Sequence, residues 1–282
     1  MQVEERLRAE IVEIGRRVYD RGFVASNDGN ISVRLDDDRL LMTPTGVSKG
    51  FMTPDMLVTT DLTGRKLSGD REASSEILMH LAVYELRPDI KAVVHAHPPT
   101  ATGFAVAGIP LDRAVLAEVV TTLGSIPIAD YGTPSTTELA DAVRHYISAH
   151  DGLLLANHGA LTVAQELFAA YYKMETVEHF ARISLVARQL GGERVLSREE
   201  VDRLQNLRDR YGITAPAPLC PPGQEEGVDV TCQTVNAPSS PDARLVAAAP
   251  ETRAGALDLD DEVRLTYREL TALIADAVKQ LR

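Results

Sequence analysis

Two apolar triplets, Ala92-Val93-Val94 and Leu153-Leu154-Leu155, constrain the fold of this chain more than any other feature. Each is long enough for a strand and too short for a buried helix, and an uninterrupted apolar run in a strand calls for cover on both faces of its sheet. The first predicts a strand over Lys91 to His97 and runs into Pro98 and Pro99, which cannot continue a ladder. The second predicts a strand over Gly152 to Asn157 and runs into His158 and Gly159. Asn30 to Leu35 and Arg39 to Met42 read as hairpin strands about the Asp36-Asp37-Asp38 turn. Helical spacing falls between them. Leu7, Ile11, Ile14 and Val18 mark an opening helix that Gly22 ends. Ser75 to Leu86 predicts a helix with Ile77, Leu78, Leu81 and Ala82 as its buried stripe, and Thr137 to Ala149 predicts a third. A long helix is expected from about Val163 to Leu190, carrying Leu167, Ala170, Met174, Val177, Ala181 and Leu185. Strands alternating with helices imply a layered α/β fold.

With 44% apolar and 25% charged residues among 282, the chain has material for a large core plus an appendage. Its formal charge of −12 excludes nucleic acid and anionic lipid as expected partners. No apolar run approaches the ~20 residues of a membrane span. The segment Met1 to Glu10 is charged rather than signal-like, so a soluble, cytoplasmic protein is expected. Cys220 and Cys232 form neither a disulfide framework nor a zinc knuckle and read as incidental thiols. The texture changes near Gly212. Residues 1–212 are patterned as one domain. Residues 213–257 are rich in proline and without period, which reads as a disordered linker. Residues 258–282 carry Val263, Tyr267, Leu270, Ile274, Ala277 and Leu281 at helical spacing, an amphipathic helix behind an acidic first turn.

His95 and His97, two apart on a strand, leave the same face, as two ligands of one metal ion would. Ordinary hydrogen-bonded histidines at a strand end fit that spacing equally. His158, at the exit of the second buried strand, is a third candidate, and three histidines at strand ends suit zinc. His80, His145, His150 and His179 fall on helices or their ends and read as solvated or core residues. Glu76 stands at a helix start behind Ser74 and Ser75. It reads either as a capping group that complements the dipole or as a carboxylate beside an anion site, able to meet the metal and exchange a proton. Gly29-Asn30 and Thr43-Pro44-Thr45-Gly46 offer small side chains and free N–H groups of the kind that cradle phosphate.

Taken in order, Gly29-Asn30, Thr43-Pro44-Thr45-Gly46, Ser74-Ser75-Glu76, His95-Ala96-His97 and Asn157-His158-Gly159 resemble the class II aldolase and adducin family, most nearly its L-fuculose-1-phosphate aldolases. Ser125-Ile126-Pro127, Glu138-Leu139 and Arg210-Tyr211-Gly212 extend the likeness from Gln2 to Tyr211. The resemblance implies a three-layer αβα fold around a central sheet and a homotetramer with active sites between subunits. It implies zinc on His95, His97 and His158, with Glu76 as fourth ligand and catalytic acid/base. Phosphate would be held by Asn30, Thr45, Gly46, Ser74 and Ser75, and Tyr211 would match a C-terminal tyrosine that closes over the site. Leu116 stands where fuculose-phosphate aldolases carry a tyrosine for the leaving aldehyde.

The activity so implied is zinc-dependent cleavage of a ketose 1-phosphate, L-fuculose 1-phosphate or a similar deoxy sugar, to dihydroxyacetone phosphate and an aldehyde such as lactaldehyde. The rival readings are an epimerase, dehydratase or decarboxylase with the same metal centre, and a non-catalytic adducin-like scaffold. The linker and terminal helix resemble the encapsulation peptides that deliver enzymes to bacterial microcompartments, so a shell protein is one expected partner. Docking of that helix on its own subunit is the other.

Overall fold

The computed structural model describes residues 2–211 and residue 213. In chain order the helices are α1 (Gln2–Asp20), α2 (Ile77–Leu86), α3 (Pro99–Ala107), α4 (Ala117–Thr122), α5 (Thr137–Ile147), α6 (Leu167–Gln189) and α7 (Arg198–Arg210). The strands are β1 (Asn30–Arg34), β2 (Arg39–Met42), β3 (Val58–Asp61), β4 (Lys66–Ser68), β5 (Ala92–Ala96), β6 (Ile128–Ala129), β7 (Gly152–Leu155) and β8 (Gly159–Ala164). They form one sheet in the order β4-β3-β2-β1-β5-β8-β7-β6. Every neighbouring pair is antiparallel except β6 with β7.

Strand alternation sorts the core into two compartments. Ile31, Val33, Ala92, Val94 and Leu154 face α1, α3 and α6, meeting Ile11, Ile14, Phe104, Met174, Val177 and Phe180. Val93, Leu153, Leu155, Leu161 and Val163 face α2 and α5, meeting Met79, Val83, Val143 and Ile147. Helices therefore cover both faces of the sheet, and the result is the three-layer αβα arrangement. Each fully buried Leu, Ile or Phe at these interfaces stabilises the fold by about 1.5–3 kcal/mol. Among the described residues no helix is long and apolar enough to cross a membrane.

Four local expectations need correcting. The run beginning near Val163 does not open the long helix. Gly159–Ala164 is strand β8, inserted between β5 and β7, and the helix starts only at Leu167. The β-branched Thr162 and Val163 pair with Val94 and Val93 on a buried ladder. Helix α2 buries Met79, His80, Ala82, Val83 and Tyr84, whereas Ile77, Leu78 and Leu81 are only half-buried. It is covered by α5 as well as by the sheet, so its inner face is wider and rotated relative to the expected stripe. Glu76 occupies the cap position, outside the first turn of α2. Finally, β5 stops at Ala96, and His97 belongs to the loop entering α3. The expected linker, the terminal helix, Cys220 and Cys232 lie outside the described residues.

Candidate active site

The central strands deliver the site. Register places Asn30 opposite His95 on the β1–β5 pair and His95 opposite Leu161 on the β5–β8 pair. The β7–β8 turn then carries His158 over the end of β5. Asn157 adopts a left-handed backbone with φ 54°, which asparagine tolerates. Gly159 has to be glycine: a Cβ there would lie 2.6 Å from Ala96 O and 2.6 Å from His97 Cδ2. Gly29, at φ 72°, leaves room for the His95 carbonyl, which a Cβ would approach to 2.9 Å.

The ligand atoms of His95, His97 and His158 all lie within 4.8 Å of one another. His95 donates from Nδ1 to the Ala160 carbonyl at 2.9 Å, which leaves Nε2 as a bare lone pair. His97 turns its Nδ1 toward the Asp28 carboxylate, 3.5 Å away. The two Nε2 atoms then face each other at 3.1 Å. Two lone pairs so close need a proton or a cation between them. Burial, together with the neighbouring imidazoles, outweighs the attraction of Glu76 and pushes His95 down to about 3, which disfavours the proton. Burial lowers His97 as well.

Glu76 Oε2 lies 3.4 Å from His95 Nε2, and Glu76 Oε1 lies 3.2 Å from His158 Nε2. Neither contact satisfies Oε1, which is buried without a well-directed hydrogen bond, as is His158 Nδ1. Burial works to raise the Glu76 pKa, but the neighbouring His95 and His158 and a hydrogen bond from Asn30 win, holding the carboxyl below its usual range. Nitrogen lone pairs aimed at one point beside an orphaned carboxylate oxygen fit a divalent cation of the zinc type. Glu76 stands at the edge of this group; the three imidazoles close it without the carboxylate.

A polar cleft of about 210 Å³ opens beside the imidazoles. Asn30, Thr45, Gly46, Ser74 and Ser75 all line it, so the expected anion-binding residues come together. Two backbone bonds, Thr45 N to Glu72 O at 3.0 Å and Ser74 N to Thr43 O at 3.1 Å, lace the two loops side by side. Tyr211 does not join them: at the end of α7 it is 73% exposed and lines none of this cleft. Leu116 caps α4 and borders a separate cleft of about 570 Å³ with Arg21, Tyr172 and His179.

Three participants, Asp28, Lys49 and Glu178, have no counterpart in the sequence reading, and a fourth, His80, read there as a solvated or core histidine, is buried beside Asn30. The Glu178 carboxylate on α6 accepts from the backbone N–H of Thr100 at 3.0 Å and Ala101 at 2.8 Å, anchoring the start of α3 just after His97. Lys49 is 2% exposed, and its ammonium donates to the carbonyls of Asn27 at 2.9 Å and Val47 at 2.8 Å, tying the two glycine-bearing loops together. No motif announces either residue.

Burial pushes Lys49 from 10.5 down to about 8 against the attraction of Asp28 and Glu76. Below pH 8 both folded and unfolded chains carry its proton, and the fold bears the cost of burying the charge. Between about 8 and 10.5 the unfolded chain keeps the proton while the folded chain sheds it, so stability rises with pH, by about 3 kcal/mol in all. Lys49→Met is expected to lack that rise. Urea unfolding of both proteins at about pH 7 and about pH 10 checks this, and equal pH dependence would refute it.

The chain matches the family described as class II aldolase and adducin N-terminal domain over residues 9–185. It is 34% identical over 187 residues to the 3-oxo-tetronate 4-phosphate decarboxylase of Pectobacterium atrosepticum, covering 65% of this chain and 85% of that protein. It is 34% identical over 181 residues to the L-fuculose phosphate aldolase of Methanococcus maripaludis, covering 64% of this chain and 97% of the relative. A solved structure of L-fuculose 1-phosphate aldolase superposes with TM-score 0.67 at 31% identity, covering 73% of this chain and 95% of that one. With most of the chain matched and the fold shared, this protein belongs to the class II aldolase and adducin family and is an enzyme of the lyase kind.

Proposed function

We propose that the chain is a zinc-dependent aldolase that splits a ketose 1-phosphate, L-fuculose 1-phosphate or a similar deoxy sugar, into dihydroxyacetone phosphate and an aldehyde. The observation that carries this reading is the adjacency of the three-imidazole group, the Glu76 carboxylate and the cleft lined by Asn30, Thr45, Gly46, Ser74 and Ser75. His95, His97 and His158 would hold the zinc ion, which when bound supplies Lewis-acid stabilisation of the negative charge left by carbon–carbon cleavage. The Thr45-Gly46 and Ser74-Ser75 loops grip the phosphate and fix the reacting carbons beside the imidazoles. Glu76, held ionised at the edge of the cluster, would take up the proton that the substrate hydroxyl releases as the bond breaks and return it to the carbon that the departing aldehyde vacates. Residues 1–212 form the catalytic unit, which works as a homotetramer. Tyr211, far from the cleft within its own subunit, would act in a site completed by another copy.

A second reading is decarboxylation of a 3-oxo acid phosphate. It also breaks a carbon–carbon bond beside a ketone, but a carboxylate leaving as carbon dioxide has no hydroxyl proton to give up, as a departing aldehyde does. Leu116, in place of a tyrosine that could take that hydroxyl proton, suits this case, and a relative of similar identity bears that activity in its name. Incubating the zinc-loaded protein with a panel of ketose 1-phosphates and with a 3-oxo-tetronate 4-phosphate separates the two. Dihydroxyacetone phosphate is the expected product. Carbon dioxide instead would establish the decarboxylase, and no bound metal with no product would leave only the scaffold.

A further inference from the structure

Behind the cleft a hydrogen-bonded chain runs inward from Glu76. Asn30 Nδ2 donates to Glu76 Oε2 at 2.7 Å, and Asn30 Oδ1 lies 2.5 Å from His80 Nε2. His80 Nδ1 lies 2.6 Å from Ser32 Oγ, which in turn lies 2.9 Å from the Tyr84 hydroxyl. Asn30 and Ser32 are two apart on β1, and His80 and Tyr84 are four apart on α2, so each pair shares one face of its element. The two faces interlock residue for residue. Asn30, Ser32, His80 and Tyr84 are at most 4% exposed, so no water competes for these groups.

The direction of every hydrogen follows from one end. Asn30 presents its amide nitrogen to Glu76, whose Oε2 accepts from it at 2.7 Å. Its oxygen then faces His80, and an oxygen that can only accept requires a hydrogen on His80 Nε2. Burial lowers the His80 pKa to about 4, so the ring is neutral and Nδ1 is a bare acceptor. Ser32 spends its hydroxyl hydrogen on Nδ1 and accepts from Tyr84, whose own pKa burial raises.

We propose that His80 is a positioning residue: its Nε2–H tautomer locks the Asn30 side chain so that the NH₂ group, rather than the carbonyl, faces Glu76 and the anion cleft. The amide is otherwise free to turn over, and the turned form would set an oxygen against a carboxylate and against any bound phosphate. This inference rests on the reading of the cleft as the phosphate site. It names what makes Asn30 a donor there.

Two measurements test it on the zinc-loaded protein. The ¹⁵N imidazole spectrum, with His80 assigned from the signals lost in His80→Gln, is expected to show a pyrrole-type Nε2 and a pyridine-type Nδ1. The opposite tautomer, or a ring protonated at neutral pH, would overturn the proposal. Calorimetric titration with inorganic phosphate gives the second readout. His80→Leu, which removes the donor, is expected to weaken phosphate binding about tenfold, the worth of one hydrogen bond to a charged group. His80→Gln, which restores an N–H near the Nε2 position, is expected to stay within about threefold of the parent. Equal losses in the two variants would mean a packing role only and overturn the proposal. If His80→Leu does not fold, the spectrum of the parent protein decides. If the parent binds no phosphate, the anion-site reading fails, while the spectrum still decides whether the lock on Asn30 exists.

Discussion

Glu76→Gln is expected to lower turnover by about 10²–10⁴-fold while leaving the fold and the three-imidazole group in place. The substitution keeps the shape of the side chain and an oxygen that can accept from Asn30 Nδ2, now 2.7 Å from Glu76 Oε2. It removes the carboxylate that faces both His95 and His158 and can shuttle a proton. The most direct measurement is exchange of the carbon-bound hydrogen of dihydroxyacetone phosphate with deuterated solvent, which isolates proton transfer from cleavage. Exchange should vanish with turnover, and zinc should still bind. A variant that turns over within about threefold of the parent would assign the proton to another group.

Gly159→Ala is expected to weaken zinc binding by about 10–100-fold, the usual cost of disturbing the shell behind metal ligands. A methyl group at this position meets two obstacles at 2.6 Å, the Ala96 carbonyl and the His97 ring. Neither yields easily. Ala96 is paired with Ala160 on the central ladder, and His97 is held by its backbone N–H to the Phe23 carbonyl at 2.8 Å. The ring is therefore the part expected to swing out, and the convergence of the three imidazoles is lost with it. Competition with a chelating dye measures the affinity. Activity at low zinc should fall with it and recover in part as zinc is raised. Unchanged affinity would show that the strand relaxes away from the ring instead.

The features legible in the sequence are those that repeat locally. The triplets Ala92-Val93-Val94 and Leu153-Leu154-Leu155 announce buried strands because burial on two faces leaves an unbroken apolar run, and the histidines at their exits stand out by contrast. Strand β8 went unread because Gly159-Ala160-Leu161-Thr162-Val163-Ala164 merges into the pattern of α6, and a two-residue turn leaves little punctuation. The stripe on α2 was misjudged for a related reason: α5 adds a second covering surface that α2's own spacing does not record. At the site, residue types are readable one by one, while their meeting follows from the family resemblance and not from spacing along the chain. His95 and His158 come together only because β5 pairs with β8, sixty-odd residues away along the chain. Asp28, Lys49, His80 and Glu178 act through partners on other elements, and His80 in particular looks like any core histidine until Asn30 and Ser32 are seen facing it.

The carboxylate of Glu178 has a consequence for stereochemistry. Two helix starts flank the imidazole cluster, that of α3 and that of α2 behind Ser74 and Ser75. Glu178 already fills the first with negative charge. If the cleft beside Ser74 and Ser75 is the phosphate site, as proposed, a phosphorylated substrate would meet an open end there and a repelling one at α3, and would lie across the imidazoles in a single sense. On the proposed reading, the face of the substrate presented to the imidazoles would depend on the Glu178 carboxylate as well as on the Ser74-Ser75 loop.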